Sequence, residues 1–528
     1  MRTEASWLLL LMACGSATGV VGGPLDGTDN GSDNLADSGD DDEDDGAEAF
    51  SLEQAIDIDR LMEHLGALED IAIANGDNRV YLSQGYLDSL DYIQRQLEDS
   101  GYDVEVEEYT ITSYDLFSAD VTIDSQAVDF SVLQYSAGGD VTASIQAVDL
   151  QIPPGAPNTS TSGCEAADFV GFAAGTIALI QRGSCTFSDK VHNAEDAGAI
   201  GVVILNEGQE GRAGVLEGVL DAGDPPTIPV VGVSYDTGVS LAAAQDTSRV
   251  RLDIDAAFIE QSDYNILTRT PGGDPSRAVL VGAHLDSVQA GAGINDNGSG
   301  SAAILEMALQ MAAADYSPTN QVRFAWWGAE EQGLIGSGRH FFNELGDPDP
   351  EVFDDLDAYL NFDMLASGNG ARYVYDGDGS AFPDELGVSV ASGEIEQLFL
   401  DYFAERDLIT IPTGMEVPTD SYWTVAVGLP TGGLFSGASE IKTPGQADAF
   451  DGRSGVAFDP CYHLACDIVD NVNPDLYQQL ARGAAHVVQA LAEREAPLAR
   501  TARAAAVDPI SPRLPRPVGC HDHVRWDR

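Results

Sequence analysis

Apolar residues recur along this chain with two different periods, and the periods divide it into segments. Between 84 and 100, Leu87, Leu90, Ile93 and Leu97 recur at spacings of three and four, which predicts an amphipathic helix. A strand follows over 103–109, where Val104 and Val106 alternate with acidic residues. From 119 to 257 short β-rich runs are separated by Gly, Ser and Asp turns. Within them the pattern predicts strands over 177–180 and 201–205, a helix over 189–199, and a further strand opening at Ile228. Beyond Asp263 strand and helix patterns alternate to about 495. The apolar run 278–282 implies a strand buried on both faces, as in a parallel sheet. Strands are expected at 322–327 and 358–360 and a helix at 302–314. A final helix over 477–492 carries Leu480, Ala484, Val487, Val488 and Leu491 on its buried side. The fold class read from this is α/β: a mostly parallel twisted sheet flanked by helices, interrupted by a smaller β-rich α/β insert.

The two ends of the chain depart from this pattern. One Arg precedes a short apolar run, Trp7 to Ala13, far too short to cross a bilayer, so residues 1–20 read as an export signal. Leu11-Met12-Ala13-Cys14 resembles a bacterial lipobox, which would lipidate Cys14. The alternative is an ordinary cleaved signal with an incidental Cys. Residues 21–50 are Gly, Asp, Asn and Ser with little to bury, a solvated linker. Residues 496–528 form an Arg- and Pro-rich tail, with six Arg against three Asp.

Charge narrows the choice of partner. The formal net charge is −62, and the eleven acidic residues between Asp26 and Glu48 account for only part of it. Removing them leaves −51, and Lys190 and Lys442 are the only lysines. Nucleic acid is thereby excluded, because phosphate binding needs clustered cations. Counterions would screen such a body in salty or mineral-rich surroundings. Six Cys occur, and an exported chain pairs its Cys. The expected bridges are Cys164 to Cys185 and Cys461 to Cys466, with Cys14 and Cys520 left over.

Short motifs follow the predicted strand ends. GAHLDS places His284 just past an apolar strand, with Asp286 two residues on. GAGINDNGSGSA places Asp296 in a Gly-rich loop before a helix. AWWGAEEQG places Glu330 and Glu331 after a strand, and LNFDML places Asp363 at the end of another. A late run, DPCYHLACD, carries His463 between Cys461 and Cys466. Taken singly, each reads as a turn or a solvated face. Jointly they set His, Asp and Glu at the carboxyl ends of strands, where sites form in parallel α/β sheets. That donor set suits a divalent metal with hydrolytic chemistry.

These runs in this order, with VGAHLDSV, RFAWWGAEE, GLIGS, YLNFDM and GGLFSGA, resemble the co-catalytic dizinc exopeptidase family. That family includes secreted bacterial aminopeptidases, aminopeptidase Y and the glutamate carboxypeptidases. The resemblance covers 51–118 and 258–495. The intervening 119–257 resembles a protease-associated (PA) domain through RGSCTFSDK, NAEDAGA and the following VVIL. The resemblance implies a zinc-exopeptidase fold (phosphorylase/hydrolase-like) and two zinc ions per chain. One would be held by His284 and Asp363, the other by Glu331 and His463, with Asp296 bridging. It implies Glu330 as general base, Tyr462 as an oxyanion donor, Asp286 as the residue orienting His284, and Phe435 in the side-chain pocket. The expected protein is a secreted or cell-surface aminopeptidase, in contact with a membrane only through a lipid on Cys14, acting as a monomer on peptide N-termini and favouring apolar ones. A carboxypeptidase or dipeptidase on the same scaffold, or a non-catalytic peptide-binding protein, are the alternatives. Where relatives often carry Gly-Arg-Ser-Asp-His, this chain has Val417-Pro418-Thr419-Asp420-Ser421, which puts the expected residue preference in question.

Overall fold

Three apolar runs become adjacent parallel strands at the centre of the molecule. A computed structural model describes residues 50–499 apart from 246, 344, 345, 384 and 417. The expected signal, Cys14, Cys520, all of the linker but Phe50, and the tail beyond 499 lie outside the described residues.

In chain order the strands are β1 (Val104–Ile123), β2 (Gln126–Ala127), β3 (Phe130–Val132), β4 (Gly139–Ala147), β5 (Ile177–Gln181), β6 (Gly201–Leu205) and β7 (Val230–Val233). There follow β8 (Arg249–Arg269), β9 (Asp274–His284), β10 (Asn320–Trp327), β11 (Leu356–Phe362), β12 (Tyr373–Tyr375), β13 (Ile411–Thr413) and β14 (Thr431–Phe435). Their order in space is β13-β12-β14-β11-β9-β10-β8-β4-β5-β6-β7-β3, with β1 beside β8 and β2 beside β1. The central block β14-β11-β9-β10 is parallel; β8 and β12 flank it antiparallel.

Period-two alternation splits the central strands between two cores. Val279, Val281 and Ala283 of β9 join Val322, Phe324 and Trp326 of β10 and Ala358, Leu360 and Phe362 of β11 on one face. The helices Ile58–Ala74, Gln84–Asp99, Gly300–Ala313, Val390–Ala404 and Pro474–Ala492 cover that face. Ala278, Leu280, Ala325, Trp327 and Tyr359 point the other way, against Phe341, Phe353 and Leu429. The last helix starts cleanly, with Asn473 capping the Leu476 N–H and Pro474 at its first position. The helix expected over 84–100 ends at Asp99 and buries Tyr86, Leu90, Ile93 and Leu97. Leu87 is off that face and 37% exposed.

The strand expected over 103–109 runs on to Ile123, because it pairs antiparallel with β8 along almost its whole length. This ribbon joins the two parts of the molecule. Near its far end β8 pairs with β4, which leads into the parallel strands β5, β6 and β7. Their alternating residues fill two further small cores. The expected boundaries at 118/119 and 257/258 therefore fall within β1 and β8.

Candidate metal centre

β9, β10 and β11 end side by side, and each delivers an acid or an imidazole at its carboxyl end. His284 is the last residue of β9, Glu330 and Glu331 lie in the turn after β10, and Asp363 follows β11. The register sets Trp327 beside His284. Asp296 enters from the segment Ile294–Ser299 ahead of the helix Gly300–Ala313. Next to it, Asn297 donates to the Phe362 carbonyl at 3.0 Å and accepts from Gly300 N and Met364 N, which ties that segment to the end of β11. His463 enters from the loop closed by the Cys461–Cys466 disulfide; the second bridge, Cys164–Cys185, lies between β4 and the helix Phe187–Asp196. Ala329, Met364 and His463 hold φ of +51°, +57° and +57°, a region costly for residues with a side chain and typical of functional loops.

The six side chains form two groups, His284 with Glu330 and Asp363, and Asp296 with Glu331 and His463. His284 Nε2 lies 3.4 Å from Asp363 and 3.9 Å from Glu330. His463 Nε2 lies 3.1 Å from Glu331. Asp296 links the groups: Oδ1 is 3.3 Å from His284 Nε2 and Oδ2 is 3.2 Å from His463 Nε2. Tyr462 stacks on His463 with ring centroids 3.9 Å apart. Phe435 stands in a small apolar cluster with Tyr375, Met415 and Val425.

A polar shell fixes these groups. Asp286, fully buried, lies 3.5 Å from His284 Nδ1 through Oδ1. The same carboxylate accepts the N–H groups of Glu330 at 3.0 Å and Glu331 at 3.3 Å, a connection its place in GAHLDS did not predict. Asp467 accepts the N–H groups of Asn295 and Asp296 at 2.8 and 3.0 Å. Thr419 donates to Asp363 Oδ2 at 2.6 Å. Buried Arg79 donates to the carbonyls of Leu285, Ala292 and Gly293, stitching the loop between His284 and Asp296. Asp467 was visible as the last letter of DPCYHLACD and Thr419 as part of the divergent loop. Arg79 sits where no period or motif marks it.

The charges are crowded. Burial, reinforced by Asp363, Asp420 and Glu331 and only partly offset by His284, raises the Glu330 carboxyl well above its usual range. Burial and Asp296 push Glu331 up to about 7; burial lifts Asp467 to about 8 and Asp420 to about 7. Against their burial, neighbouring carboxylates hold His284 well above the usual value and His463 at about 10. Protein cations other than the histidines and Arg79 do not meet this negative charge among the described contacts. Glu331 Oε1, Asp363 Oδ1 and His463 Nε2 are buried with no partner in hydrogen-bonding geometry despite the close approaches above, although such atoms are normally satisfied. Orphaned imidazole and carboxylate atoms, converging in two groups of three, fit divalent zinc.

Comparison with known proteins identifies the family. The model of Peptidase family M28 matches residues 265–488, and that of the PA domain matches 143–241. An aminopeptidase of Pseudomonas aeruginosa is 43% identical over 433 residues, covering 80% of this chain and 79% of its own. A probable lipoprotein aminopeptidase, LpqL, of Mycobacterium tuberculosis is 35% identical, covering 80% of this chain and 83% of its own. Among solved structures, the zinc aminopeptidase BSAP of Bacillus subtilis shares the fold with a TM-score of 0.55 at 22% identity, over 83% of this chain and 95% of its own.

Proposed function

The chain belongs to peptidase family M28 and is a zinc metallo-aminopeptidase, and from that premise we propose how its site works, what it prefers and where it acts. The observation that carries the reading is Asp296, whose two oxygens face two imidazoles, each beside further carboxylates. In our assignment His284 and Asp363 would hold one zinc, Glu331 and His463 would hold a second, and Asp296 would serve both. Two such ions would supply Lewis acidity toward the scissile carbonyl and lower the pKa of the attacking water.

The chain's own groups do the rest. Glu330 is a carboxyl whose raised pKa suits it to take a proton from the attacking water and return it to the leaving amine. The Tyr462 hydroxyl, kept protonated by burial and by the surrounding carboxylates, donates to the developing oxyanion. Asp286 fixes the tautomer of His284 and the backbone under Glu330 and Glu331. Phe435, with Tyr375, Met415 and Val425, forms the apolar pocket for the N-terminal side chain.

We place the peptidase domain at 51–118 and 258–495 and the PA insert at 119–257. The protein acts outside the cytoplasm as a monomer, exported by a signal within residues 1–20 that is either cleaved in the ordinary way or ends at Cys14 as a lipid site. Two disulfides and the lipoprotein aminopeptidase of Mycobacterium tuberculosis support that location.

The test is hydrolysis of Leu-p-nitroanilide by the wild-type protein and Glu330→Ala, before and after chelation and zinc return. Wild-type activity should vanish with the metal and return with zinc, and Glu330→Ala should lose at least about a hundredfold in kcat. N-acetylated peptides should not be cleaved. Activity in chelator, or a fully active Glu330→Ala, would refute the mechanism. Release of C-terminal residues instead would favour the carboxypeptidase alternative.

A further inference from the structure

The turn carrying Glu330 and Glu331 is held from two sides. Asp286 holds it from within the site, through the N–H groups of both glutamates. Asn265 of β8 holds it from behind. Fully buried, Asn265 accepts the Gly328 N–H at 3.0 Å and donates to the Gly336 carbonyl at 3.0 Å and to Glu107 at 2.7 Å. Its acceptor and both of its donors are therefore engaged. Gly328 opens the turn, and Gly336 lies in the helix Ile335–Phe341 that closes it, so one amide spans the whole excursion.

The fit leaves no slack. A Cβ at Gly336 would sit 2.4 Å from the Asn265 side-chain oxygen and 2.3 Å from the Gly328 carbonyl. A Cβ at Gly328 would sit 2.3 Å from the Tyr86 hydroxyl and 2.6 Å from that of Tyr109. Both glycines let the backbone close onto the amide. Between them Ala329 is held at φ +51°, a conformation that needs outside support. Asn265 pairs in register with Glu107 of β1, and Glu107 in turn lies 3.0 Å from His340 on the same closing helix. β1 and β8 continue from this point into the inserted segment, so the turn and the insert share one hairpin.

We propose that Asn265 is a positioning residue for the reaction: its amide sets the turn that aims Glu330 at the substrate. The proposal rests on the role assigned to Glu330 above. A misplaced base lowers the rate of the chemical step by about tenfold to a hundredfold while leaving ground-state binding intact. Asn265→Ala should therefore lose about tenfold to a hundredfold in kcat on Leu-p-nitroanilide, with KM within about twofold and zinc content equal to wild type. Asn265→Asp keeps an acceptor for Gly328 but sets a carboxylate oxygen against the Gly336 carbonyl and Glu107, so it should lose kcat at least as far as Asn265→Ala. Should Asn265→Ala fail to fold, Glu107→Ala removes one partner of the amide from a more tolerant place, and should lower kcat by about threefold or more at constant KM. Unchanged kcat in Asn265→Ala or in its substitute, or a loss carried by KM alone, overturns the proposal. Glu330→Ala is measured beside them. An active Glu330→Ala would fail the functional reading, whereas an unchanged Asn265→Ala beside an inactive Glu330→Ala fails this inference alone.

Discussion

Asp286 illustrates how much one side chain in this site does. Its carboxylate faces the Nδ1 side of His284 and receives the N–H groups of Glu330 and Glu331, so it acts on both groups of the centre at once. Replacing it with Asn keeps the shape but turns one acceptor into a donor, which then faces the N–H of Glu330 or of Glu331. Asp286→Asn should fold, lose about tenfold to a hundredfold in zinc affinity, and lose kcat in parallel. Competition with a chelator of known affinity measures the first and steady-state kinetics the second. Wild-type zinc affinity in this variant would reduce Asp286 to a packing residue. His284, Glu330, Glu331 and Asp363 could be picked out before any coordinates because short motifs follow strand ends, and Asp296 and His463 from a Gly-rich loop and a Cys-flanked run. Of the residues that hold them, Asp286 was expected beside His284, but the others could not be picked out. Thr419, Asn265 and Arg79 come from distant segments, and only tertiary packing brings them in.

At the scale of elements, periodicity marked several of the elements buried against the main sheet, but not all. The helix Ile58–Ala74 went unread, although Leu61, Leu65, Leu68 and Ala72 keep the same three-and-four spacing and are buried. Strand length was the larger omission. β1 reaches 20 residues because β8 pairs along it, and long-range pairing leaves no local mark past Tyr109. The loop of Cys461–Cys466 gives this scale its own prediction. It carries His463 in a left-handed conformation and ends beside Asp467, which holds the backbone of Asp296. Closing so short a loop stabilises the fold by about 2 kcal/mol at most. Aiming two parts of the centre is the larger consequence. Cys461→Ser with Cys466→Ser should lower Tm by only a few degrees yet weaken zinc retention and kcat by about tenfold. Calorimetry and metal analysis on one sample compare the two effects. A large fall in Tm with full activity would make the bridge a global staple instead.

Across the whole molecule, the acidic excess meets an unusual distribution of cations. The chain's two lysines are both buried, and each is spent on carbonyls. Lys190 donates to Ser162 at 2.6 Å, and Lys442 donates to Asn369, Gly370 and Asp451 at 2.8, 2.9 and 2.6 Å. No lysine is left for the described surface, whose positive charge falls to arginines such as Arg251, set between Asp120, Asp140 and Asp253. A body carrying −62 in total repels itself, and that repulsion opposes the compact state. Salt shortens its reach, from about 10 Å at 0.1 M to about 3 Å at 1 M. The buried core and the metal centre are screened far less, so added salt acts chiefly on the acidic exterior. Tm should therefore rise steadily as sodium chloride goes from about 0.05 M to about 2 M, with most of the gain below about 0.5 M, where the screening length changes fastest. Equal osmolality of sucrose separates this from exclusion of cosolute: it should stabilise the protein without that early steep rise. A Tm highest at low salt would mean that the acidic surface is already neutralised by bound ions, and the adaptation to salty surroundings would fall with it.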